Sequence, residues 1–176
     1  MTKFLAATAA IAALALTGTV AQAATPATQA TATAKVLKPL SITAEQNLDF
    51  GIIVLTGSSF TNEVVTLSQG GGVTCGSNPG VVLTCSGTPA AARYRLVGSN
   101  NAIVKITSPA FNLTGPGTLA FTPNFPATVD LGATGSTTGT PFNIGGSITL
   151  ASTTPDGVYS GTFQVTADYQ LSLIHI

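Results

Sequence analysis

The stretch GVYSGTFQVTADY, residues 157–169, decides the fold class of this chain. From residue 158 onward, apolar side chains alternate with polar ones, which is typical of a β-strand with one face in the core and one in water. The apolar set is Phe163, Val165, Ala167 and Tyr169. We predict an internal strand over residues 158–169, with Phe163, Val165 and Tyr169 facing the core.

Outward from this strand, the chain consists of short β signals separated by Gly, Pro, Asn and Ser. Residues 35–43 are predicted to form an edge strand or a bulge, because Pro39 interrupts them. Residues 48–55 are rich in Ile, Val and Phe and are predicted to be buried on both faces. Further runs lie at 64–67, 81–83, 93–97, 102–106, 111–113, 119–125 and 142–150. Since no segment has a sustained helical period with caps, the sequence predicts an all-β, antiparallel, immunoglobulin-like β-sandwich.

The N-terminal residues 1–23 have the features of a secretory signal peptide. Lys3 is followed by an apolar run over residues 4–16 and by the small-x-small motif at residues 21–23. The run is shorter than the ~20 apolar residues that a membrane-spanning helix needs, which favours cleavage after Ala23 over an anchor. Residues 24–34 contain only Ala, Thr, Gln and one Pro and are predicted to be an extended leader. Residues 35–170 are predicted to be the sandwich domain.

The C-terminal residues 171–176, LSLIHI, are interpreted as foreign to the protein. The codons CTG TCT CTT ATA CAC ATC encode them, and this DNA is similar to the mosaic-end adapter of transposase-based sequencing libraries. The alternative is the genuine end of a short apolar strand. If the tail is an assembly artefact, the natural protein has no histidine, because His175 is the only one.

Composition and charge exclude several classes of protein. Charged residues make up 7% of the 176 residues, with six of each sign, against about 25% in an average domain. Six basic side chains give no electrostatic footprint for nucleic acid or for an anionic membrane. Hydrophobic residues make up 44%, which together with the low charge argues against disorder.

Cys75 and Cys85 flank the turn sequence GSNPG at residues 76–80. Two strands folding back over this turn would bring the two sulfurs together, and a secreted protein meets an oxidising compartment. A redox-active pair usually has the spacing Cys-x-x-Cys at the start of a helix, which is absent here. We therefore predict a structural disulfide between Cys75 and Cys85.

Catalytic and cofactor sites have little support in the sequence. A Ser–His–Asp triad needs an imidazole, and His175 lies in the terminal segment. The lysines available for a Ser–Lys dyad are Lys35, Lys38 and Lys105. No Ser-x-x-Lys motif marks any of them as activated. The candidate calcium ligands are Asp49, Asp130 and Asp156. They lack the Asp-x-Asp-x-Asp spacing, so we predict no catalytic, cofactor-binding or metal-binding residue and no enzyme activity.

Four segments carry a resemblance to a known family: AKVLKPLSI at 34–42, LDFGIIV at 48–54, NIGGSITL at 143–150 and the final stretch at 157–169. They resemble the secreted proteins of Gram-negative bacteria grouped as domain of unknown function 4402. The resemblance covers almost the whole sandwich domain and implies a class and a compartment, since the family has no assigned activity.

The final strand also resembles, more distantly, that of pilin and spore-coat-protein-U-like subunits. This resemblance implies a pilin- or adhesin-like sandwich that is completed by an N-terminal strand from the next subunit. The side chains at residues 30, 32 and 34 are all Ala, and each would bury little surface. The sequence alone therefore favours a mobile leader over a donated strand.

Two functions remain open. The first is a secreted, non-enzymatic structural or adhesin-like surface protein of the fimbrial type, whose partners are copies of itself or other surface subunits. The second is a monomeric periplasmic or extracellular binding module, with its ligand in the end loops 98–101 or 132–141. Both place the protein in the periplasm, at the cell surface or outside the cell, without nucleic acid as a partner and without a membrane span after signal removal.

Overall fold

The computed structural model describes residues 28–77 and 82–170, and it contains twelve β-strands in these ranges. In chain order, β1 to β12 are Ser41–Gln46, Ile52–Leu55, Glu63–Leu67, Val73–Cys75, Leu83–Ser86, Ala92–Val97, Ile103–Thr107, Phe111–Thr114, Thr118–Asn124, Thr128–Asp130, Thr140–Leu150 and Thr166–Tyr169. Every strand pairing is antiparallel, and no helix occurs in the described ranges. The predicted all-β antiparallel sandwich is confirmed.

The strands form three sheets. The largest sheet has seven strands. Five of them follow the order β1-β6-β11-β3-β4. The other two are β9, which pairs with β11, and β8, which pairs with β9. A second sheet has the order β10-β7-β12, and a third consists of β2 and β5 alone. The small third sheet pairs segments that are distant in the sequence, so its position depends on packing and not on a local turn.

Strand β11 connects the two halves of the largest sheet. Its first half pairs with β6, and its second half pairs with β3 on one side and β9 on the other. Gly146 lies at this change of partners, where an added Cβ would lie 2.5 Å from the ring of Phe121. Only glycine leaves room for a ring that close to a strand backbone.

The buried apolar residues form two clusters. One lies under β6, β7, β10 and the start of β11, and its members are Ala92, Leu96, Ala102, Val104, Ile106, Val129, Leu131, Phe142 and Ile144. The other lies under β3, β5, β9 and the end of β11, and its members are Phe50, Val65, Leu67, Leu83, Leu119, Phe121, Ile148 and Leu150. Half-buried side chains surround both clusters, so parts of this core remain open to solvent.

The last segment of the domain differs from its prediction in one respect. The predicted alternation is present, because Phe163, Val165, Ala167 and Tyr169 are half-buried and the residues between them are exposed. The ladder, however, covers only β12, which lies at the edge of its three-stranded sheet. The prediction of an internal strand over 158–169 is therefore wrong, because periodicity reports which face is buried and not how many neighbours a strand has.

The first two predicted strands had mixed outcomes. Strand β1 lies at the end of the seven-stranded order, as predicted for an edge strand, but it covers Ser41–Gln46, and residues 35–40 of the predicted segment 35–43 belong to no strand. Residues 48–55 were predicted to be buried on both faces, which is wrong for β2. Its burial alternates, with Ile52 62% exposed and Val54 47% exposed. Apolar residues thus lie on the outward face of this short strand, where the sequence pattern gave no reason to expect solvent.

Tyr169 fastens the end of β12 to the start of the domain. Its hydroxyl donates a hydrogen bond to the carbonyl oxygen of Lys38 (2.8 Å) and accepts one from the backbone N–H of Ser99 (2.7 Å). The side chain of Ser99 accepts in turn from the N–H of Lys38 (2.6 Å). One phenol therefore joins three chain segments that no β-ladder connects at this point.

We expect Tyr169→Phe to destabilise the domain by about 1–3 kcal/mol, because it leaves two backbone groups without their partner. The control is Tyr159→Phe, which removes a single hydrogen bond to the carbonyl oxygen of Pro155 at an exposed position. Urea unfolding of both variants measures the difference. Equal losses of stability in the two variants would contradict the role assigned to Tyr169.

Residues 28–40, the described part of the chain before β1, belong to no strand, and residues 28–36 are all exposed. The predicted signal peptide over 1–23 and the terminal segment 171–176 lie outside the described residues, so both interpretations stay predictions. Within residues 28–77 and 82–170, no helix is long and apolar enough to cross a membrane.

Candidate functional site

An apolar groove of about 960 Å³ opens on the sandwich domain. One rim is formed by residues 47–55, which include β2, and the other by residues 154–163, which precede β12. We call the lining residues from β6, β8, β9 and β11 the floor: Ala92, Tyr94, Phe111, Leu113, Leu119, Phe121, Ile148 and Leu150. The groove thus opens directly onto the second core cluster.

Aromatic rings dominate the groove. Six aromatic side chains line it: Phe50, Tyr94, Phe111, Phe121, Tyr159 and Phe163. The rings of Phe111 and Phe121 have centroids 4.9 Å apart, and Phe163 lies 5.7 Å from the former and 5.8 Å from the latter. Rings at such separations attract each other beyond the area they bury. Burial also raises the pKa of Tyr94 above its ordinary value of 10.0.

The two rims of the groove differ in their backbone pairing. Strand β2 pairs with β5 on one edge, and no other strand among the described residues pairs with it. In the second rim, Ser160 bridges Thr114, but residues 161–165 belong to no strand. Apolar side chains are exposed on both rims, and Val158 is 85% exposed. Unpaired edges of this kind accept a further strand readily.

Cys75 and Cys85 hold the β2 rim in place. Their sulfurs are bonded (S–S 2.06 Å, Cα–Cα 5.8 Å). The sequence suggested a hairpin closed by this bond, but the two strands are not ladder partners: Cys75 lies opposite Val65 of β3, and Cys85 lies opposite Ile53 of β2. The disulfide therefore joins the two-stranded sheet to the seven-stranded one.

Glu63 supports the same region from β3. Its carboxylate accepts hydrogen bonds from the backbone N–H of Ser77 (2.8 Å) and from the Ser77 hydroxyl. These hydrogen bonds, the backbone one first, lower the pKa of Glu63 below its ordinary value of 4.5. Away from the groove, the guanidinium of Arg95 donates a hydrogen bond to Glu45 and lowers the pKa of the Glu45 carboxyl as well. Arg93, whose Nε lies 3.0 Å from Oε2 of Glu45, adds to this effect.

We expect the protein to become less stable as the pH is lowered below about 4.5, because Glu45 and Glu63 then become protonated. A carboxyl whose pKa is lower in the folded state stabilises the fold above its unfolded pKa and loses this effect as pH drops through the folded pKa. The Glu45→Gln/Glu63→Gln variant should be less stable near neutral pH and show a flatter profile below pH 4.5. Thermal unfolding as a function of pH tests this, and an unchanged profile would contradict it. Added salt should weaken the Glu45 contribution by screening its arginines.

The three aspartates that the sequence analysis considered as calcium ligands have different surroundings. Asp49 and Asp130 each accept a hydrogen bond (2.8 Å) from the backbone N–H two residues later, which is turn chemistry. Asp156 lies on the groove rim. Within the two described ranges, no group of three His, Cys, Asp or Glu side chains could hold a metal ion.

The two end loops proposed as a ligand site lie against each other. The N–H of Gly98 donates to the carbonyl oxygen of Gly135, and that of Asn101 to the carbonyl oxygen of Gly132. The N–H of Ser136 donates to the side chain of Asn100 (2.7 Å). The structure thus brings the loops together, but they bond to each other and contribute no residue to the groove.

The groove itself was not predicted from the sequence. Its signal was the apolar run at residues 48–55, which has too many large side chains for an edge strand with a solvated face. Burial on both faces was the natural interpretation of that run. In the structure the excess apolar residues line an open groove.

Fold and groove together define an all-β antiparallel sandwich whose core is open along one side. The family described as "Domain of unknown function (DUF4402)" matches residues 40–169, and the chain belongs to this family. No curated protein and no solved structure is significantly similar to the chain.

Proposed function

We propose that this protein is a secreted, non-enzymatic structural or adhesin-like surface subunit that associates through its groove. The observation that carries the proposal is the groove itself: an apolar floor between strand β2, which pairs only with β5 among the described residues, and a segment that belongs to no strand. A concave surface lined mainly by apolar and aromatic side chains is typical of a binding site. The distant resemblance of the last strand to pilin-like subunits points in the same direction.

Secretion is supported by two independent features. The N-terminal sequence has the three regions of a signal peptide. The bond between Cys75 and Cys85 suits an oxidising compartment such as the periplasm or the cell exterior.

A non-enzymatic role is supported by the state of the ionisable groups. The carboxylates with lowered pKa, Glu45 and Glu63, are engaged with arginines and with a serine turn, and neither lines the groove. The aromatic and aliphatic lining of the groove suits association through shape and apolar contact.

The test compares two lysine substitutions at positions of equal exposure. Val54 on the groove rim and Ile103 on β7, outside the groove, are both 47% exposed. We expect the secreted chain to self-associate with rising concentration, Val54→Lys to weaken this association, and Ile103→Lys to leave it unchanged. Sedimentation velocity measures all three. Self-association that survives Val54→Lys would contradict a working role for the groove.

A second candidate function is a monomeric module that binds a small apolar or aromatic ligand. The observation that favours it is the set of six aromatic side chains in one groove. This function predicts a chain that stays monomeric at every concentration and binds an apolar dye, with binding lost in Val54→Lys and kept in Ile103→Lys. The groove would then replace the end loops as the ligand site.

A further inference from the structure

A polar cleft of about 500 Å³ opens on the sandwich domain separately from the groove. On β6, Ala92 and Tyr94 line the groove, whereas Arg93 between them lines the cleft. Successive side chains of a strand point to opposite faces, so the two openings lie on opposite faces of β6. Their lining residues have no member in common, and a ligand in the cleft therefore does not need the groove.

Polar side chains from three neighbouring strands form one row in the cleft. Gln46 at the end of β1 lies opposite Arg93 of β6, and Arg93 lies opposite Asn143 of β11. Residues directly opposite each other in a ladder have their side chains on the same face. With strands ~4.8 Å apart, the row places two amides and a guanidinium side by side over ~10 Å. Gln69, from the turn after β3, adds a third amide to the lining.

Hydrogen bonds hold these polar groups and leave part of each available to a ligand. Nδ2 of Asn143 donates to the carbonyl oxygen of Gln69 (2.9 Å), and Nε2 of Gln69 donates to Oδ1 of Asn124 (3.2 Å). Among the described residues, the side-chain oxygens of Asn143 and Gln69 have no partner. Nε of Arg93 lies 3.0 Å from Oε2 of Glu45. A guanidinium has five N–H donors, so this ion pair leaves most of them for a ligand.

The walls of the cleft are fixed by backbone hydrogen bonds. Ala90, in one wall, exchanges two hydrogen bonds of 2.8 Å with Asp49. In the turn that contributes Gly70, the N–H of Ser68 donates to the carbonyl oxygen of Gly72 (2.8 Å), and the N–H of Gly72 donates to the hydroxyl of Ser68 (2.9 Å). A site that is formed before its ligand arrives loses little conformational entropy on binding.

The chemistry of the lining limits the class of ligand. A side-chain amide both donates and accepts hydrogen bonds, and a hydroxyl group does the same, whereas an ionised phosphate or carboxylate only accepts and an ammonium group only donates. Arg93 is the one charged side chain among the described lining residues, and Glu45 beside it compensates its charge. Pro89 and Pro141 add apolar surface. This combination suits a neutral ligand that carries several hydroxyl groups on an apolar ring.

We infer that the cleft binds a neutral saccharide, whose hydroxyl groups form hydrogen bonds with the row of Gln46, Arg93 and Asn143. Its volume lies within the range of about 300–1,000 Å³ that is usual for ligand sites. The inference goes beyond the proposed function and does not rest on it. If copies associate through the groove, each adds one cleft, and several clefts together bind a polysaccharide surface more tightly than one.

The first experiment screens the full secreted chain against immobilised hexasaccharides. The neutral probes are hexasaccharides of glucose, mannose, galactose and N-acetylglucosamine, and the acidic comparison is hexagalacturonate. We expect concentration-dependent binding to at least one neutral probe. Binding to none of them, or to hexagalacturonate alone, would overturn the inference.

The second experiment compares two arginines that share one partner. Arg93 and Arg95 both form an ion pair with Glu45, but only Arg93 lines the cleft. We expect Arg93→Met to weaken binding of the soluble hexasaccharide about tenfold or more, because it removes charged donors from the site. Arg95→Met should retain the affinity. Calorimetric titration measures both, and an equal effect of the two substitutions would contradict a ligand in the cleft.

A gentler pair of variants guards against unfolding. Gln46 and Gln164 are both exposed, and Gln164 lines neither opening. Gln46→Ala should weaken hexasaccharide binding about threefold, as expected for the loss of a neutral hydrogen bond, and Gln164→Ala should leave it unchanged. Unchanged binding in Gln46→Ala together with Arg93→Met would show that the saccharide lies elsewhere.

Val54→Lys separates this inference from the proposed function. We expect it to alter self-association and to leave the affinity for the soluble hexasaccharide as it is in the wild type. Saccharide binding that is lost in Val54→Lys would place the ligand in the groove and overturn the inference. A chain that binds the hexasaccharide through Arg93 and stays monomeric at every concentration would support the inference and contradict the proposed function alone.

Discussion

Phe121→Ala should destabilise the domain by about 3–5 kcal/mol, the range for truncating a fully buried phenylalanine. Phe121 is 1% exposed and contacts the rings of Phe50, Phe111 and Phe163, with centroids at 6.1, 4.9 and 5.8 Å. Its ring also fills the space above Gly146. The loss is comparable to the whole stability of a small domain. Urea unfolding measures this loss, using the same dependence of the unfolding free energy on urea concentration for the variant and the wild type.

Phe163→Ala is the matched comparison. The sequence alone places Phe163 in the core, where its truncation would cost as much as that of Phe121. In the structure Phe163 is half-buried on the groove rim, so we expect a smaller loss of about 1.5–3 kcal/mol. A loss at Phe163 equal to or greater than that at Phe121 would mean that the groove is closed in solution.

Replacing both bonded cysteines, Cys75→Ala/Cys85→Ala, should cost roughly 2–3 kcal/mol. The bond closes a short loop, with a sequence separation of 10, and the loop-entropy estimate for such a length gives this value. Because the bond joins β4 to β5, and β5 alone pairs with β2 in the described chain, its loss should also loosen the groove rim. Urea unfolding of the variant against the oxidised protein measures the stability.

Amide exchange distinguishes the local effect from the global one. We expect faster exchange in β2 and β5 than the change in global stability explains, and unchanged relative protection in β11. A uniform increase across the sandwich would mean that the disulfide acts only through the unfolded chain. Thiol labelling of the unreduced, unfolded wild-type protein provides the control, since a bonded pair gives no reaction.

The two rims of the groove are held in place in different ways. The β2 rim is held by a covalent bond and by the Glu63–Ser77 contacts. The second rim has little ladder pairing between Ser160 and β12. Segments with few backbone hydrogen bonds open at low free-energy cost. We therefore expect the second rim to adjust when a partner binds in the groove and the β2 rim to stay fixed.

The sequence by itself determined the fold class and the direction of most side chains. Alternation along residues 157–169 follows from the two-residue period of a strand, which any extended chain must obey. The absence of capped helical periods, together with Gly- and Pro-rich turns, left an antiparallel sandwich as the natural solution. These features are local, so each of them can be recognised within a single segment of the chain.

Tertiary structure alone decided which strands are neighbours, and hence where the groove lies. The same apolar run at residues 48–55 fits a strand buried on both faces and a strand beside an open groove, because side-chain type does not report what covers it. Likewise Cys75 and Cys85 are close in the sequence, yet their strands pair with β3 and β2 and join separate sheets. Pairing between distant segments depends on the packing of the whole domain. The groove therefore becomes visible only when β2 and residues 154–163 are packed beside the seven-stranded sheet.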